Sequence, residues 1–311
     1  MTEYIAAGNV MIDVIRFHGQ RQISKKHIGG PATFAYSGIK LYTDNVMQVS
    51  NVGDDFDQYF REWIAKNGVI TDGFKVKCDY CNHSYLVYKE DGTYNADPSI
   101  ARYRDDWIQD FGYMKTSPEE IGVFTKCGGV KGVYIAQNVD YVFWRKFDEL
   151  KKRDGFKIMW EIEAPSSYKR YMPAVLNALS TADIFSINFK EACNLFGCET
   201  EEECIRGIQE LPVELTIFRV GEKGLYSISE GKAHYLPTAK IADKIDPTGC
   251  GNCSTGGALY AFCEGEDPIM VGIMANVAAA MNIRQYGVMQ DFELVRGYAF
   301  EKAKEIYREY K

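Results

Sequence analysis

Short apolar runs alternate with longer amphipathic segments along most of the chain. Runs rich in β-branched and aromatic residues are typical of strands that are buried on both faces of a sheet. We predict such strands at Tyr4–Ile15, Asn45–Val52, Gly132–Gln137, Lys157–Ile162, Asp183–Ile187 and Leu215–Val220.

The segments between these runs have apolar residues at helical spacing. We predict helices at Ala32–Leu41, Phe56–Asn67, Tyr141–Arg153, Tyr168–Leu179, Glu191–Gly197, Glu201–Glu210, Cys253–Glu264, Pro268–Gln285 and Phe292–Tyr310. Parallel strands need crossover connections of this length, so the pattern indicates an α/β fold with a mostly parallel sheet and helices on both faces.

Two regions interrupt this alternation. Arg16–Ile28 is short and polar, and Gly73–Tyr94 alternates like an exposed strand pair. Together they predict a small antiparallel flap at one edge of the main sheet, although a plain surface hairpin fits the same pattern. We therefore expect a single domain over residues 1–311, with lid segments at about 14–28 and 73–98.

Composition excludes several classes of protein. Hydrophobic residues make up 46% and charged residues 25%, as in an ordinary globular protein. The net charge of −7 argues against nucleic acid or an anionic membrane as the main partner. No apolar run approaches the roughly 20 residues that span a bilayer. The first residues lack the pattern of a secretory signal, so we expect a cytoplasmic protein.

The chain has nine cysteines, an odd number that is scattered over its length. This usage favours reduced thiols over a disulfide framework. Two C-x-x-C pairs, Cys78/Cys81 and Cys250/Cys253, could in principle form a four-thiolate zinc site. The second pair lies in a glycine-rich loop, where Cys250 would offer mainly its backbone, so we favour unbound thiols.

The strongest candidate for chemistry is Lys244–Gly257, which reads K-I-D-P-T-G-C-G-N-C-S-T-G-G. Glycines ahead of a helix leave backbone N–H groups free to bind one anion, and the helix dipole adds positive charge there. The loop suits a phosphoryl group, and Asn252 lies where a side chain could touch the reacting atoms. A helix start that simply needs tight turning is the alternative.

Three weaker motifs lie at the ends of predicted strands or the start of a helix. Gly29-Gly30-Pro31-Ala32 forms a good helix start and would let a ligand approach the backbone. Asn188-Phe189-Lys190-Glu191 follows a strand and reads either as a capping box or as a set of oxygens that binds magnesium through water. Gly221-Glu222-Lys223-Gly224 reads as a tight turn.

In chain order these motifs resemble those of the ribokinase-like (PfkB) family of carbohydrate kinases, from about Tyr4 to Gly287. The two halves of the family signature correspond to Gly29–Gly38 with Asn51–Phe56, and to Asp246–Gly257. The resemblance implies a three-layer α/β/α domain with a small β lid. It also implies transfer of the γ-phosphoryl group of ATP, with Mg²⁺, to a hydroxyl of a sugar or nucleoside.

The resemblance also assigns roles to individual residues, and a lid of this kind can pair two copies in a homodimer. It places the acceptor at Asp13, Gly29 and Gly30, and the magnesium-bound phosphates at Asn188 and Glu191. The nucleotide would lie along Gly221 and Gly224, with its adenine at Asn276. A monovalent cation such as K⁺ would bind at Asp246 and Thr248, and the N–H groups of Gly249, Cys250 and Gly251 would form an anion hole.

Two positions depart from the family pattern. The family loop ends in an Asp that serves as the general base, whereas this loop has Asn252. Loss of a positioned base costs on the order of 10²- to 10⁴-fold in rate. A natural branch and an engineered substitution both remain open. Many sugar kinases of the family have an Asn where this chain has Phe34, which presents an aromatic face to the acceptor or packs within its helix.

Four carboxylates are candidates to replace the base: Asp54, Asp55, Glu161 and Glu163. The sequence thus predicts slow or atypical ATP-dependent phosphoryl transfer to a small polyhydroxylated acceptor. The alternative is a catalytically silent member that binds nucleotide or sugar as a sensor or interaction partner. A kinase for a vitamin or pyrimidine alcohol on the same fold is a further option.

Overall fold

The computed structural model describes residues 2–17, 26–89, 94–96, 114–241 and 244–310. Its strands are β1 Tyr4–Ala7, β2 Met11–Phe17, β3 Lys26–Gly29, β4 Val46–Gly53, β5 Phe74–Cys78, β6 His83–Tyr88, β7 Tyr94–Ala96, β8 Gly132–Gln137, β9 Lys157–Ile162, β10 Ile184–Asn188, β11 Leu215–Arg219, β12 Gly224–Ser229 and β13 Lys232–Pro237.

Helices follow most of the parallel strands. The α-helices are α1 Pro31–Lys40, α2 Phe56–Lys66, α3 Pro118–Thr125, α4 Tyr141–Asp154, α5 Met172–Leu179, α6 Phe189–Phe196, α7 Glu201–Gln209, α8 Cys250–Cys263, α9 Pro268–Asn282 and α10 Glu293–Tyr310. Short 3₁₀ turns lie at Ala164–Ser166, Lys169–Tyr171 and Gly221–Lys223.

Nine strands form the main sheet in the order β13-β12-β11-β10-β9-β8-β1-β4-β5. The seven strands from β11 to β5 are parallel, and the β12–β13 hairpin adds two strands by antiparallel pairing. Side chains of β1 alternate between two cores: Tyr4 and Ala6 face one, and Ile5 and Ala7 face the other. Helices α1, α8, α9 and α10 cover the first face, and α4 to α7 cover the second. The predicted three-layer α/β/α class is confirmed.

A second sheet of four strands has the order β3-β2-β6-β7. The predicted strand Tyr4–Ile15 was therefore wrong as a single element, because Gly8, with φ of 134°, separates β1 in the main sheet from β2 in the small one. Strand β5 pairs with β4 in the main sheet, so the predicted lid segment 73–98 is divided between the two sheets. Residues 18–25, 90–93 and 97–98 of the lid segments lie outside the described residues.

Helix α3 and the β12–β13 hairpin were missed in the sequence. The first begins with a capping box between Ser117 and Glu120. The second depends on Gly224, with φ of 128°, where a Cβ would lie 2.2 Å from the Leu236 carbonyl oxygen. Both are short, and their apolar residues are too few for a clear period.

Two glycines bring α1 and α8 into backbone contact. A Cβ on Gly38 would lie 1.9 Å from the Cys253 carbonyl oxygen, and one on Gly256 would lie 2.1 Å from that of Ala35. This contact positions the start of α8 over one edge of the main sheet. Among the described residues, no helix is both long and apolar enough to cross a bilayer.

Candidate functional site

The carboxyl ends of β8, β9, β10 and β11 meet at one edge of the main sheet, because these four neighbouring strands are parallel. Helix α8 packs against all four. Such an edge, at the C-terminal ends of parallel strands, is where open α/β sheets bind ligands. The glycine-rich loop therefore enters its helix directly above the strand ends.

The loop turns sharply before α8. The Asp246 carboxylate accepts a hydrogen bond from the Thr248 N–H at 2.9 Å, and Gly249 caps the helix with a left-handed φ of 75°. The Cys250 N–H donates to the Pro247 carbonyl at 3.2 Å. In this structure it is therefore not directed at an anion, as the predicted anion hole would require. Within the described part of the chain, the N–H groups of Gly249, Gly251 and Asn252 have no hydrogen-bond acceptor.

Phe34 supports this loop from below. A Cβ on Gly249 would lie 2.2 Å from its ring, and the side chain is only 2% exposed. The ring therefore lies flat against the glycine that starts α8, and most of its surface is used within the protein. An acceptor contact by Phe34 remains a prediction.

Asn252 is held by a buried tyrosine. Its Nδ2 donates to the Tyr134 hydroxyl at 2.9 Å, and that hydroxyl donates to Glu161 Oε2 at 3.1 Å. A phenol has one proton to donate, and Tyr134 gives it to the Glu161 carboxylate. With its one proton given to Glu161, the Tyr134 oxygen can only accept from Asn252, so the amide nitrogen faces it and the Asn252 Oδ1 points away.

A buried ion pair lies next to the same loop. Arg219 Nη2 is 2.8 Å from Glu161 Oε1, and a Cβ on Gly251 would lie 1.9 Å from Arg219 Nη1. Burial alone would lower the pKa of Arg219, but the charges of Glu161 and Glu191 raise it, so the guanidinium stays protonated. The positively charged group of this ion pair is thus fixed beside Gly251 of the loop.

Sequence reasoning missed Tyr134 and Arg219. A signal was present for Arg219, since a charged residue ends the apolar strand β11 one position before the V-G-x-x-G turn. Tyr134 gave no such signal, because an aromatic residue inside β8 is indistinguishable from a core residue in the pattern.

Asn188 and Glu191 form the capping box that was one of their two interpretations. The Asn188 N–H donates to Glu191 Oε2, and the Glu191 N–H donates to Asn188 Oδ1, both at 3.0 Å. Burial raises the pKa of Glu191, while the positive charge of Arg219 lowers it. The capping geometry leaves Glu191 Oε1 available, and the magnesium role stays a prediction.

Asp13 and the glycines of the second motif lie together at the small sheet. A Cβ on Gly29 would lie 2.0 Å from Asp13 Oδ2, so the carboxylate rests directly on that glycine. Burial, and the nearby charge of Asp246, raise the pKa of Asp13 to about 8. Gly30 has a φ of 93°, and a Cβ there would lie 2.5 Å from the Asn9 carbonyl oxygen.

Tyr88 connects the small sheet to the glycine loop. Its hydroxyl donates a short hydrogen bond to Asp246 Oδ1 and lies 2.8 Å from Thr248 Oγ1. The two residues proposed for a monovalent cation are therefore bonded to a side chain of β6. Whether the small sheet closes as a lid, or pairs with a second copy, stays a prediction.

The positions expected to contact nucleotide lie in the turn before β12, at the start of β12 and in α9. Gly221 has open space around its Cα, whereas Gly224 is required by the hairpin. Asn276 Nδ2 donates to the carbonyl oxygens of Leu236 and Pro237 at 3.0 and 3.1 Å. It borders a cavity of about 190 Å³ that is mostly apolar and is also lined by Ile306 and Tyr310 of the last helix.

Two of the four carboxylates considered as substitute bases, Asp55 and Glu161, are held by other groups of the protein. Asp55 accepts from the Cys81 N–H at 2.7 Å, and Glu161 binds Tyr134 and Arg219. Asp54 is exposed. Burial raises the pKa of Glu163, with Lys115 opposing that shift.

Comparison with known proteins decides the family. A family model described as pfkB family carbohydrate kinase matches residues 1–293. The chain belongs to the pfkB family. It is 23% identical to a cytidine kinase of Thermococcus kodakarensis, over 88% of this chain and 94% of that protein. This relative and the family match support a kinase function for this pfkB-family chain.

Solved kinase structures share its fold. A Burkholderia thailandensis nucleoside kinase in complex with inosine has a TM-score of 0.73 at 17% identity, covering 97% of this chain and 96% of that one. A Vibrio cholerae fructokinase with fructose, ADP and potassium ion bound has a TM-score of 0.71 at 18% identity, covering 94% and 95%. These matches confirm the ribokinase-like fold of the pfkB-family chain.

Proposed function

We propose that this pfkB-family protein transfers the γ-phosphoryl group of ATP to a hydroxyl of a small polyhydroxylated acceptor, a sugar or a nucleoside. The observation that carries the proposal is the arrangement at the start of α8. Among the described residues, the N–H groups of Gly249, Gly251 and Asn252 have no hydrogen-bond acceptor, and Gly251 lies beside the Arg219 guanidinium at the carboxyl edge of the sheet.

This arrangement suits a phosphoryl group for electrostatic reasons. Phosphoryl transfer requires mainly positioning of the reactants and stabilisation of charge on the transferring oxygens. Fixed N–H donors and a guanidinium supply that stabilisation without reorganising during the reaction. The partly buried oxygens of Asn188 and Glu191 fit a hydrated Mg²⁺, which needs only one or two carboxylates from the protein.

We assign adenine to the apolar cavity beside Asn276 and the acceptor to the pocket at Asp13, Gly29 and Gly30. The buried carboxyl group of Asp13 rests on glycine backbone, and its oxygen can accept a hydrogen bond from a ligand hydroxyl in either protonation state. The cation role of Asp246 and Thr248 is proposed on the resemblance alone, because Tyr88 binds both in this structure.

Asn252 makes the chemistry slow. Its Oδ1 is free to accept a hydrogen bond from the acceptor hydroxyl and so orient it, but an amide oxygen cannot take the proton at neutral pH. A loose phosphoryl-transfer transition state demands less of a base than acyl transfer does. Slow turnover with an orienting amide is therefore physically reasonable.

One observation also favours the silent alternative. The Tyr134 hydroxyl already donates to Glu161, so the network accepts an amide donor at position 252 and has no proton for a carboxylate. The surroundings are matched to Asn rather than to the family's Asp. A protein that binds nucleotide or acceptor without turnover would use the same network.

The test is an assay of the protein with ATP, Mg²⁺ and a panel of sugars and nucleosides, together with Asn252→Asp and the surface control Asn177→Asp. We expect slow phosphorylation of one acceptor class by the unaltered protein and an increased rate in Asn252→Asp. The control should match the unaltered protein because Asn177 is exposed on α5.

Nucleotide binding should be measured on the same samples by calorimetry. Turnover only in Asn252→Asp would refute the active-kinase proposal for the chain as it stands and favour the silent binder. Absence of both turnover and ATP binding would refute both proposals.

A further inference from the structure

Three thiols meet where α6 turns into α7, on the face of the sheet opposite α8. Cys193 lies in α6, Cys198 follows the helix, and Cys204 lies in α7. They form a C-x4-C-x5-C pattern, which differs from the two C-x-x-C pairs considered in the sequence. Within the described residues, this is the one group of three or more potential metal ligands whose ligand atoms lie within 4.8 Å of one another.

The turn between the helices is rigid for reasons independent of the thiols. Gly197 ends α6 in the left-handed conformation, with φ of 68°, and its N–H donates to the Cys193 carbonyl at 2.8 Å. A capping box between Thr200 and Glu203 starts α7. The backbone that carries the three sulfur atoms is therefore held before any ligand binds.

The sulfur atoms are spaced like ligands of one ion. Cys198 Sγ and Cys204 Sγ are 3.3 Å apart, and Cys193 Sγ and Cys204 Sγ are 3.8 Å apart. Thiolates bound to Zn²⁺ at about 2.3 Å in a tetrahedron lie about 3.8 Å from one another. Only small side-chain movements would bring all three to a common ion.

We propose that Cys193, Cys198 and Cys204 bind a thiophilic cation of the Zn²⁺ class as three ligands of a tetrahedral site. Cys204 is buried, whereas Cys193 and Cys198 are partly exposed, so the fourth ligand position faces solvent. Water would fill it. Each bound thiol releases its proton to solvent when the metal–sulfur bond forms.

The site would act on the fold rather than on the reaction. It ties the end of α6 to α7, and α6 carries Asn188 and Glu191 at its other end. The proposal does not depend on the proposed kinase function, because it rests on the thiol geometry alone.

The experiment is an anaerobic titration of the reduced, tag-free protein with Co²⁺, followed by displacement with Zn²⁺. Bound thiolates give Co²⁺ a charge-transfer absorption in the near ultraviolet, and tetrahedral coordination gives strong visible bands. We expect one Co²⁺ per chain, complete displacement by Zn²⁺, and a rise in Tm on addition of Zn²⁺.

Cys193→Ser and Cys198→Ser should each weaken Zn²⁺ binding by at least about 100-fold. Loss of a residue that only supports a ligand already costs up to about 100-fold, and these two cysteines bind the metal directly. Both positions are partly exposed, so these variants should fold, which circular dichroism checks directly. Cys127→Ser, which removes an exposed thiol elsewhere, should bind as the unaltered protein does.

If Co²⁺ added to the reduced protein gives no thiolate charge-transfer band, the proposal is overturned. A band that persists in both folded variants, Cys193→Ser and Cys198→Ser, would also overturn it. So would a protein whose thiols bind no metal when reduced and only form a Cys198–Cys204 disulfide when exposed to air.

Discussion

Asn252→Asp is nearly isosteric, yet the structure predicts that it destabilises the fold above neutral pH. The substitution replaces the amide that donates to Tyr134 with an acceptor, and the single phenolic proton already goes to Glu161. One neutral hydrogen bond, with a net contribution of about 0.5–1.5 kcal/mol, is lost. The new carboxylate also lies near the charge of Glu161.

The size of that repulsion follows from the two hydrogen bonds. They place the two carboxylates no more than about 6 Å apart, where like charges repel by about 3 kcal/mol at an effective dielectric constant near 20. The positive charge of Arg219 offsets part of this energy. We expect Asn252→Asp to lower the free energy of unfolding by about 1–3 kcal/mol at pH 8.

The pH dependence has a definite sign. Repulsion by Glu161 raises the folded-state pKa of the new carboxyl group, so the folded state binds its proton more tightly than the unfolded state does. The destabilisation should therefore be present at pH 8 and disappear as the pH falls and the group is protonated, because a protonated carboxyl group can donate to Tyr134 as the amide does.

Urea unfolding of a double-mutant cycle measures this effect. The cycle combines Asn252→Asp with Tyr134→Phe, which removes the contested hydroxyl, and should give a coupling energy of about 1 kcal/mol. Asn177→Asp on the surface should change stability by less than about 0.5 kcal/mol. Equal or greater stability of Asn252→Asp at pH 8 would refute the assignment of the hydrogen-bond directions.

Two further predictions concern the loop and the acceptor pocket. Gly251→Ala places a methyl group against Arg219 and should lower ATP affinity or turnover at least about 10-fold in calorimetry and kinetic assays, whereas Gly297→Ala, in open space on α10, should leave both unchanged. Buried Asp13 has its folded pKa raised to about 8, so stability should fall as pH rises from about 4 to 8, by up to about 1.4 kcal/mol per pH unit. Asp13→Asn should remove this pH dependence of the free energy of unfolding, measured in urea. An unchanged dependence would contradict the assignment of the raised pKa to Asp13.

Much of the layered fold could be predicted because long periodic segments carry their own signal. Helices α4 and α9 and the strands β8 and β9 were predicted within a few residues of their observed bounds. The break at Gly8 was missed, because the residues on both sides of Gly8-Asn9 are mostly apolar and together fit one strand. Which sheet a strand joins is decided by tertiary packing, as β5 illustrates.

The sequence predicted only those site residues whose type is required by a local turn or helix cap. Glycines and caps such as Gly249 and Asn188 are required by local geometry, so they are visible in sequence. Tyr134, Glu161 and Arg219 come from three different strands, and their contact depends on strand order. The hydrogen-bond direction at Asn252 follows from that contact and has no local signature.

Asp246 Oδ1 accepts hydrogen bonds from two parts of the molecule, the small sheet and the glycine-rich loop. The Tyr88 hydroxyl belongs to the small sheet but binds Asp246, which also receives the Thr248 N–H of the glycine loop. Any cation that bound through Asp246 Oδ1 would have to compete with this phenol. The salt composition of the buffer and the position of the small sheet would then be linked equilibria, each reporting on the other.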